Sequence, residues 1–299
     1  MASAAQNRRG ILAMLASVAA FVMSDMLVRL AAESLPTGEI MAVRGVMATT
    51  IVLAAAGATG ALRQFHRFFN RLVALRGALE GSVAILFITA LPKMPFAMLS
   101  AVLLAAALVT TAIAAGMGIE KVGPRRWWAL IIGFAGVVVV LRPTPSAVTP
   151  AALLAIVCTL LVAMRDVVTR KIRPETPTVV VALVSTAAVT LLGFVLGAVE
   201  TGWRLPTLRE SVFLACAAVA VSCGNVMIVA AFRTADVAVV APFRYTSILF
   251  AMVGGFLVWN ETPDFWTFVG SLMIVGSSLY TMWRERVRAR ERPAAESPA

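Results

Sequence analysis

The chain is 299 residues long, 60% hydrophobic and only 14% charged, with a mean hydropathy of +0.90; an ordinary soluble domain is roughly 25% charged, so a water-soluble globule is excluded. The formal net charge of +11 does not point to nucleic acid, because the basic residues fall in short gaps between apolar runs and not along one soluble face. Those runs are about 20 residues long, enough to cross a ~30 Å hydrocarbon layer as helix.

The first run, residues 10–31, follows Arg8 and Arg9 as a signal peptide would, yet it is longer than a signal core and carries Asp25 and Arg29, so it reads as a retained span. Further spans are predicted over 39–59, 72–91, 96–117 and 125–141. After a Pro-rich seam at 142–150, five more follow over 150–169, 178–199, 211–231, 236–258 and 265–283. Lipid cannot satisfy exposed backbone groups, and a barrel would need ~10-residue stretches of alternating polarity, so these continuous runs are helices. The fold class is all-α, polytopic, with ten transmembrane helices. With the N-terminus inside, eighteen Lys and Arg collect on the inner side and five on the outer, so both termini are expected in the cytoplasm. Residues 284–299, RERVRARERPAAESPA, read as a basic topology anchor that runs into a disordered cytoplasmic tail.

Two motifs repeat on one offset. Asp25-x-x-x-Arg29 recurs as Asp166-x-x-x-Arg170 and Glu120 as Glu261, each displaced by 141 positions. Five helices per copy is an odd number, so the second copy enters the membrane inverted. Residues 10–142 and 150–283 are therefore predicted to be two inverted five-helix repeats, an architecture of alternating-access carriers.

With these motifs, the sequence resembles the drug/metabolite transporter superfamily, in particular its ten-helix EamA type. The resemblance rests on Met23-Ser24-Asp25-Met26-Leu27-Val28-Arg29, on Gly118-Ile119-Glu120 leading to Arg126-Trp127-Trp128 and Gly133-Phe134-Ala135-Gly136, and on Val240-Ala241-Pro242-Phe243-Arg244-Tyr245 leading to Trp259-Asn260-Glu261. It covers about residues 10–283. It implies a secondary transporter in a bacterial-type inner membrane, most like exporters of amino acids including aromatic ones. The alternative it leaves open is an uptake or exchange carrier for a nucleotide-like metabolite or S-adenosylmethionine. The partners expected are a small-molecule substrate and the lipid bilayer, as monomer or homodimer.

A charge near the bilayer centre costs at least ~2.5–3.5 kcal/mol, so intramembrane polar residues should face a cavity or a partner. At ~1.5 Å per residue, Asp25 and Arg44 share one depth, and Glu80 and Arg244 another, about 12 Å from the inner edge. Asp25 with Arg44 is expected as an ion pair or gate, with Asp166 near the inner end of its helix. Glu80 with Arg244 is expected across the repeats, Arg244 taking a carboxylate and Glu80 an ammonium group or proton. Asn225 is a third substrate candidate, and Phe87, Met94, Phe243 and Tyr245 an adaptable wall. Pro95 and Pro242 are expected as hinges. The six tryptophans read as interfacial anchors.

Catalytic and metal readings find little support. His66 is the single histidine, Cys158, Cys216 and Cys223 lie inside apolar runs, and no phosphate-binding G-x-x-x-x-G-K-[S/T] loop is present. No cofactor or metal is expected. A membrane-embedded lipid-modifying enzyme, using Glu80 or Asp166, is the alternative from a different class; it would need catalytic groups gathered at one membrane face.

Overall fold

The computed structural model describes the chain except residues 1–3, 59, 61–68, 118–122, 143–148, 174, 236 and 292–299. His66, Glu120 and most of the Pro-rich seam therefore lie outside the described residues. The helices are α1 (Ala4–Ala32), α2 (Thr37–Ala58), α3 (Arg71–Ala90), α4 (Phe96–Leu104), α5 (Ala106–Gly116) and α6 (Pro124–Leu141) in the first half. The second half contains α7 (Pro150–Arg170), α8 (Thr178–Gly197), α9 (Leu208–Thr234), α10 (Val237–Val240), a 3-10 segment (Ala241–Thr246), α11 (Ser247–Trp259) and α12 (Phe265–Glu291). No strand occurs among the described residues. Nine helices there are long and apolar enough to span a membrane, and Trp127–Leu141 is a shorter tenth. The all-α, ten-passage expectation is met.

Three boundaries differ from expectation. The fourth passage is broken into α4 and α5 at Ala105, whose N–H bonds the Val102 carbonyl three residues back, a single 3-10 step made without proline. Pro95 lies outside that break: it is the N-cap residue of α4, so it starts a helix where a hinge was expected. α12 continues past its expected end at 283, through the basic residues of the tail to Glu291.

The packing obeys a two-fold exchange of the halves. α1 packs along α9 and α3 along α7, while α2 lies on α8 and α6 on α12. The offset of 141 is visible atom by atom. Ser17 Oγ donates to the Gly224 carbonyl at 2.7 Å, and Cys158 Sγ to the Val83 carbonyl at 3.7 Å; donors and acceptors are each 141 positions apart. Thr49 and Thr190, also 141 apart, meet hydroxyl to hydroxyl at 3.1 Å. A pair related by the offset can touch itself only at the pseudo-axis, which therefore passes between α2 and α8.

Small residues permit this seam. A Cβ on Gly193 would come 2.5 Å from the Ala42 backbone nitrogen, and one on Gly45 would come 2.5 Å from Thr190 Oγ1. Gly81 stands likewise against Leu192, and Gly136 against the Gly270 carbonyl of α12. Gly276 is different, with no atom within 4 Å of a built Cβ. Overpacking costs about 1–3 kcal/mol, whereas Ala in an open helical position gains up to ~1 kcal/mol over Gly. Gly193→Ala is expected to lower the unfolding temperature in detergent, and Gly276→Ala to leave it unchanged or raise it.

Candidate functional site

Six charged side chains form a column through the membrane interior, contributed by both halves. Arg165 on α7 donates from Nη1 to Glu80 Oε1 at 3.1 Å on α3, and from Nη2 to Asp166 Oδ1 at 2.9 Å. Arg76, one turn before Glu80 on α3, adds an ion pair to Glu80 at 3.4 Å. It also donates to Thr169 at 3.1 Å and to the Ser185 hydroxyl. Further along the column stand Arg44 on α2 and Asp25 on α1; Arg44 is in electrostatic reach of both Asp25 and Glu80. Three cations and three carboxylates make the column neutral, which is how a membrane interior tolerates it.

The expected pairings are corrected at several points. Glu80 is joined to Arg165 and Arg76, and not to Arg244. Asp25 and Arg44 make no ion pair within 4.0 Å: Arg44 donates to Ser24 at 3.2 Å, and Asp25 has no hydrogen-bond partner among the described residues. Asp166, expected as a gate or ion-pair residue, accepts two hydrogen bonds from its neighbour Arg165. Arg165 was expected beside Asp166 at the inner end of the helix but not as the partner of Glu80, and Arg76 is the member that the sequence reading missed. Arg76 looked like loop charge, although its i, i+4 spacing to Glu80 was a usable signal.

The remaining candidates are scattered. Met94 is only 7% exposed and belongs to the main apolar core, with Phe87 packed against it, so both are packing residues. Asn225 is exposed and its amide donates to the Val221 carbonyl of its own helix at 2.8 Å, so it clamps no neighbour. Pro242, Phe243 and Tyr245 line an apolar crevice of about 340 Å³ between α11 and α12. The 3-10 segment explains why Arg244 is absent from that lining. With three residues per turn, Arg244 shares a row with Ala241 and Ser247, turned away from Pro242, Phe243 and Tyr245. It is exposed, without an ion pair among the described residues.

The face opposite the termini is tied by a second network. Arg29 of α1 clasps Glu261 at 2.5 and 3.1 Å, while Glu261 Oε2 accepts the Phe96 N–H at 2.8 Å. That amide opens α4, where N–H groups lack partners within the helix and an anion is favoured. Trp259 lies under the Arg29 guanidinium at 4.2 Å and donates its indole N–H to Glu33 at 2.7 Å. It is more than an interfacial anchor. Beside this, Glu210 collects Arg204 at 2.5 Å, Ser34 at 2.5 Å and the Thr207 N–H at 2.7 Å. α1, α4, α9 and α11 are thus joined at one end.

Comparison with known proteins finds transporters. The EamA-like transporter family matches residues 149–283, the second half of the chain, where the motifs around Pro242 and Glu261 lie. An S-adenosylmethionine uptake transporter of Rickettsia bellii is 25% identical, over 56% of this chain and 57% of that protein. A riboflavin transporter of Rhizobium johnstonii is 28% identical over 58% and 57%. The matches thus span little more than half the length of these two relatives. The pseudopaline exporter CntI of Pseudomonas aeruginosa aligns over 88% of this chain and 92% of its own, at 25% identity. One solved crystal structure superposes with a TM-score of 0.65 at 18% identity, over 92% of this chain and 98% of that one, which establishes a shared fold.

Two outcomes follow from the networks. Glu80→Gln takes from Arg76 its carboxylate partner among the described residues and leaves Arg165 with Asp166 alone, and is expected to destabilise the protein by somewhat less than the ~3–5 kcal/mol of a fully buried pair, since Glu80 is 27% exposed. Adding Arg165→Gln should recover a large part, read as thermal unfolding of the single and double variants. Arg29→Ala should loosen Glu261 from the start of α4. Hydrogen exchange around Phe96 is then expected to rise about tenfold or more, the equivalent of one charge-assisted hydrogen bond.

Proposed function

We propose that the chain is a secondary carrier of small metabolites, with the charged column between its halves as the transport path. The observation that carries this reading is the column itself: six ionisable groups from both halves are gathered among membrane-spanning helices, where each is costly to keep. The match of residues 149–283 to EamA-like transporters, and relatives named for uptake and for export, support it. The two-fold packing and the tied face fit a mechanism in which the halves rock about the α2–α8 seam and expose the column alternately to each side. Charge distribution supports termini on the cytoplasmic side of an inner membrane, and hence a column closed to the outside in this conformation. The charges are paired along a path and not gathered at one membrane face, which favours a carrier over a lipid-modifying enzyme.

For cargo and direction we read export of amino acids, aromatic ones included. A mixed set of fixed positive and negative groups suits a solute carrying both charges, and Arg244 offers a further open cation for a carboxylate. Uptake or exchange of S-adenosylmethionine, itself an α-amino acid, is the second reading, favoured by the rickettsial relatives. The decisive measurement is counterflow in liposomes without ATP, across a panel of amino acids, S-adenosylmethionine, riboflavin and a nucleotide sugar. Amino-acid flux is the expected result. Flux of the nucleotide sugar alone would move the assignment to another cargo class, and no flux of any solute would remove the carrier reading.

A further inference from the structure

The column divides into a saturated part and an open part. Around Glu80 every charged group has an opposite partner at hydrogen-bonding or ion-pair distance: Arg165 at 3.1 Å, Arg76 at 3.4 Å and, on Arg165, Asp166 at 2.9 Å. Arg76 spends its remaining donors on Thr169 and Ser185. Asp25 and Arg44 stand apart from this. They attract each other electrostatically but lie beyond 4.0 Å; Arg44 uses a single hydrogen bond, to Ser24, and Asp25 uses none among the described residues. A guanidinium has five N–H donors and a carboxylate about four acceptor sites. Both are partly buried, so their unfilled capacity is not simply given to bulk water.

We propose that Asp25 and Arg44 are the two halves of a clamp for a zwitterion: Arg44 takes the carboxylate of an α-amino acid through paired N–H donors, and Asp25 takes its ammonium group. This deepens the carrier reading and rests on it. In an α-amino acid the two charged groups hang from one carbon, so one solute can answer both of two fixed charges that do not bond each other. The pair of protein charges is neutral, and so is the solute; loading leaves no net charge in the membrane. A free amine or a free acid of the same side chain would satisfy one protein charge and leave the other facing an uncharged group. The saturated Glu80 set holds α3 to α7 and keeps Arg165 from competing for Asp25. Ser24, buried and donating to the Ala217 carbonyl of α9 at 3.0 Å, fixes the Arg44 guanidinium at the site.

The clamp sits at a definite depth. Arg44 is seven residues into α2 from its start at Thr37, and Asp25 seven residues before the end of α1 at Ala32, so both lie about 10 Å below the tied face. A bound head group is thus placed just beneath the Arg29–Glu261 clasp.

The test compares phenylalanine with its decarboxylated and deaminated analogues, phenethylamine and 3-phenylpropionate, by equilibrium binding to the full-length protein in detergent and by counterflow in liposomes. Wild type is expected to bind phenylalanine at least tenfold more tightly than either analogue. Arg44→Gln should cost phenylalanine about 10- to 100-fold and erase its advantage over phenethylamine; Asp25→Asn should do the same relative to 3-phenylpropionate. Arg44→Lys, which keeps the charge but not the fork, should bind between the two. Gel filtration and thermal unfolding check that the variants fold, and Asp25→Ser, which also removes the carboxylate, serves in place of Asp25→Asn if that variant does not. Unchanged selectivity in folded Arg44→Gln and Asp25→Asn protein overturns the clamp. Counterflow of an uncharged solute with no binding of the three probes also overturns it while leaving the carrier reading intact; absence of all flux removes the carrier reading itself.

Discussion

A carboxylate held within hydrocarbon must find a cation, and Glu80 finds two, one on its own helix and one on the other half of the chain. That contact dictates much else. It fixes α3 against α7, orients Arg165 so that Asp166 completes its donors, and draws Arg76 inward along α3 from what would otherwise be a solvated end. Because the three-way neutralisation is complete there, the remaining two charges of the column are not needed for it. Asp25 and Arg44 are left with the unfilled hydrogen-bonding capacity from which the clamp is argued.

The backbone is duplicated, but of the charges in the column only Asp25 and Asp166 answer each other across the offset. Ser17 and Cys158 perform one task in the two halves, each pinning its helix to a carbonyl 141 positions from its counterpart. At the column the same offset sets Arg165 against Ser24, Arg44 against Ser185, Arg76 against Ala217 and Glu80 against Val221. The serines that stand opposite Arg165 and Arg44 each accept from another arginine of the column, Ser24 from Arg44 and Ser185 from Arg76. Symmetric packing therefore supplies two equivalent ways of leaning the halves together, while an asymmetric column supplies one polar path. A rocking bundle that carried two symmetric sets of charges would desolvate twice as many ions at each swing.

Helices and repeat were legible because their signals are one-dimensional. Apolar runs of membrane length and an offset of 141 read from Asp25/Asp166 and Glu120/Glu261 both act through spacing along the chain. Pairing within the membrane was less legible. Depth at ~1.5 Å per residue places Glu80 level with Arg244 but says nothing of the angle around the bundle, and α3 faces α7, not the 3-10 segment. Nor does composition reveal that α4 gives way to α5 at an alanine, or that Arg284 continues a helix. The Arg29–Glu261 clasp was within reach: both residues mark the repeat, and conserved spacing between copies would be an odd property for two idle surface charges.

The two polar networks differ in how readily they can be undone. The Glu80 set is held by several partners on tightly packed helices, so opening it would strand several ions at once. The clasp at the tied face hangs on a chain of single links: Arg29 to Glu261, Glu261 to the first amide of α4, and Arg29 over Trp259. Each is worth about 1–3 kcal/mol. Moving a two-state equilibrium from one side to the other takes about 5.5 kcal/mol of differential binding, which is the scale of two or three such links. In the proposed clamp a head group between Asp25 of α1 and Arg44 of α2 would sit about 6 Å along α1 from Arg29, four residues further on. On that carrier reading, loading the clamp and releasing the clasp are of comparable energy and mechanically adjacent, so that binding of cargo would suffice to shift the conformation.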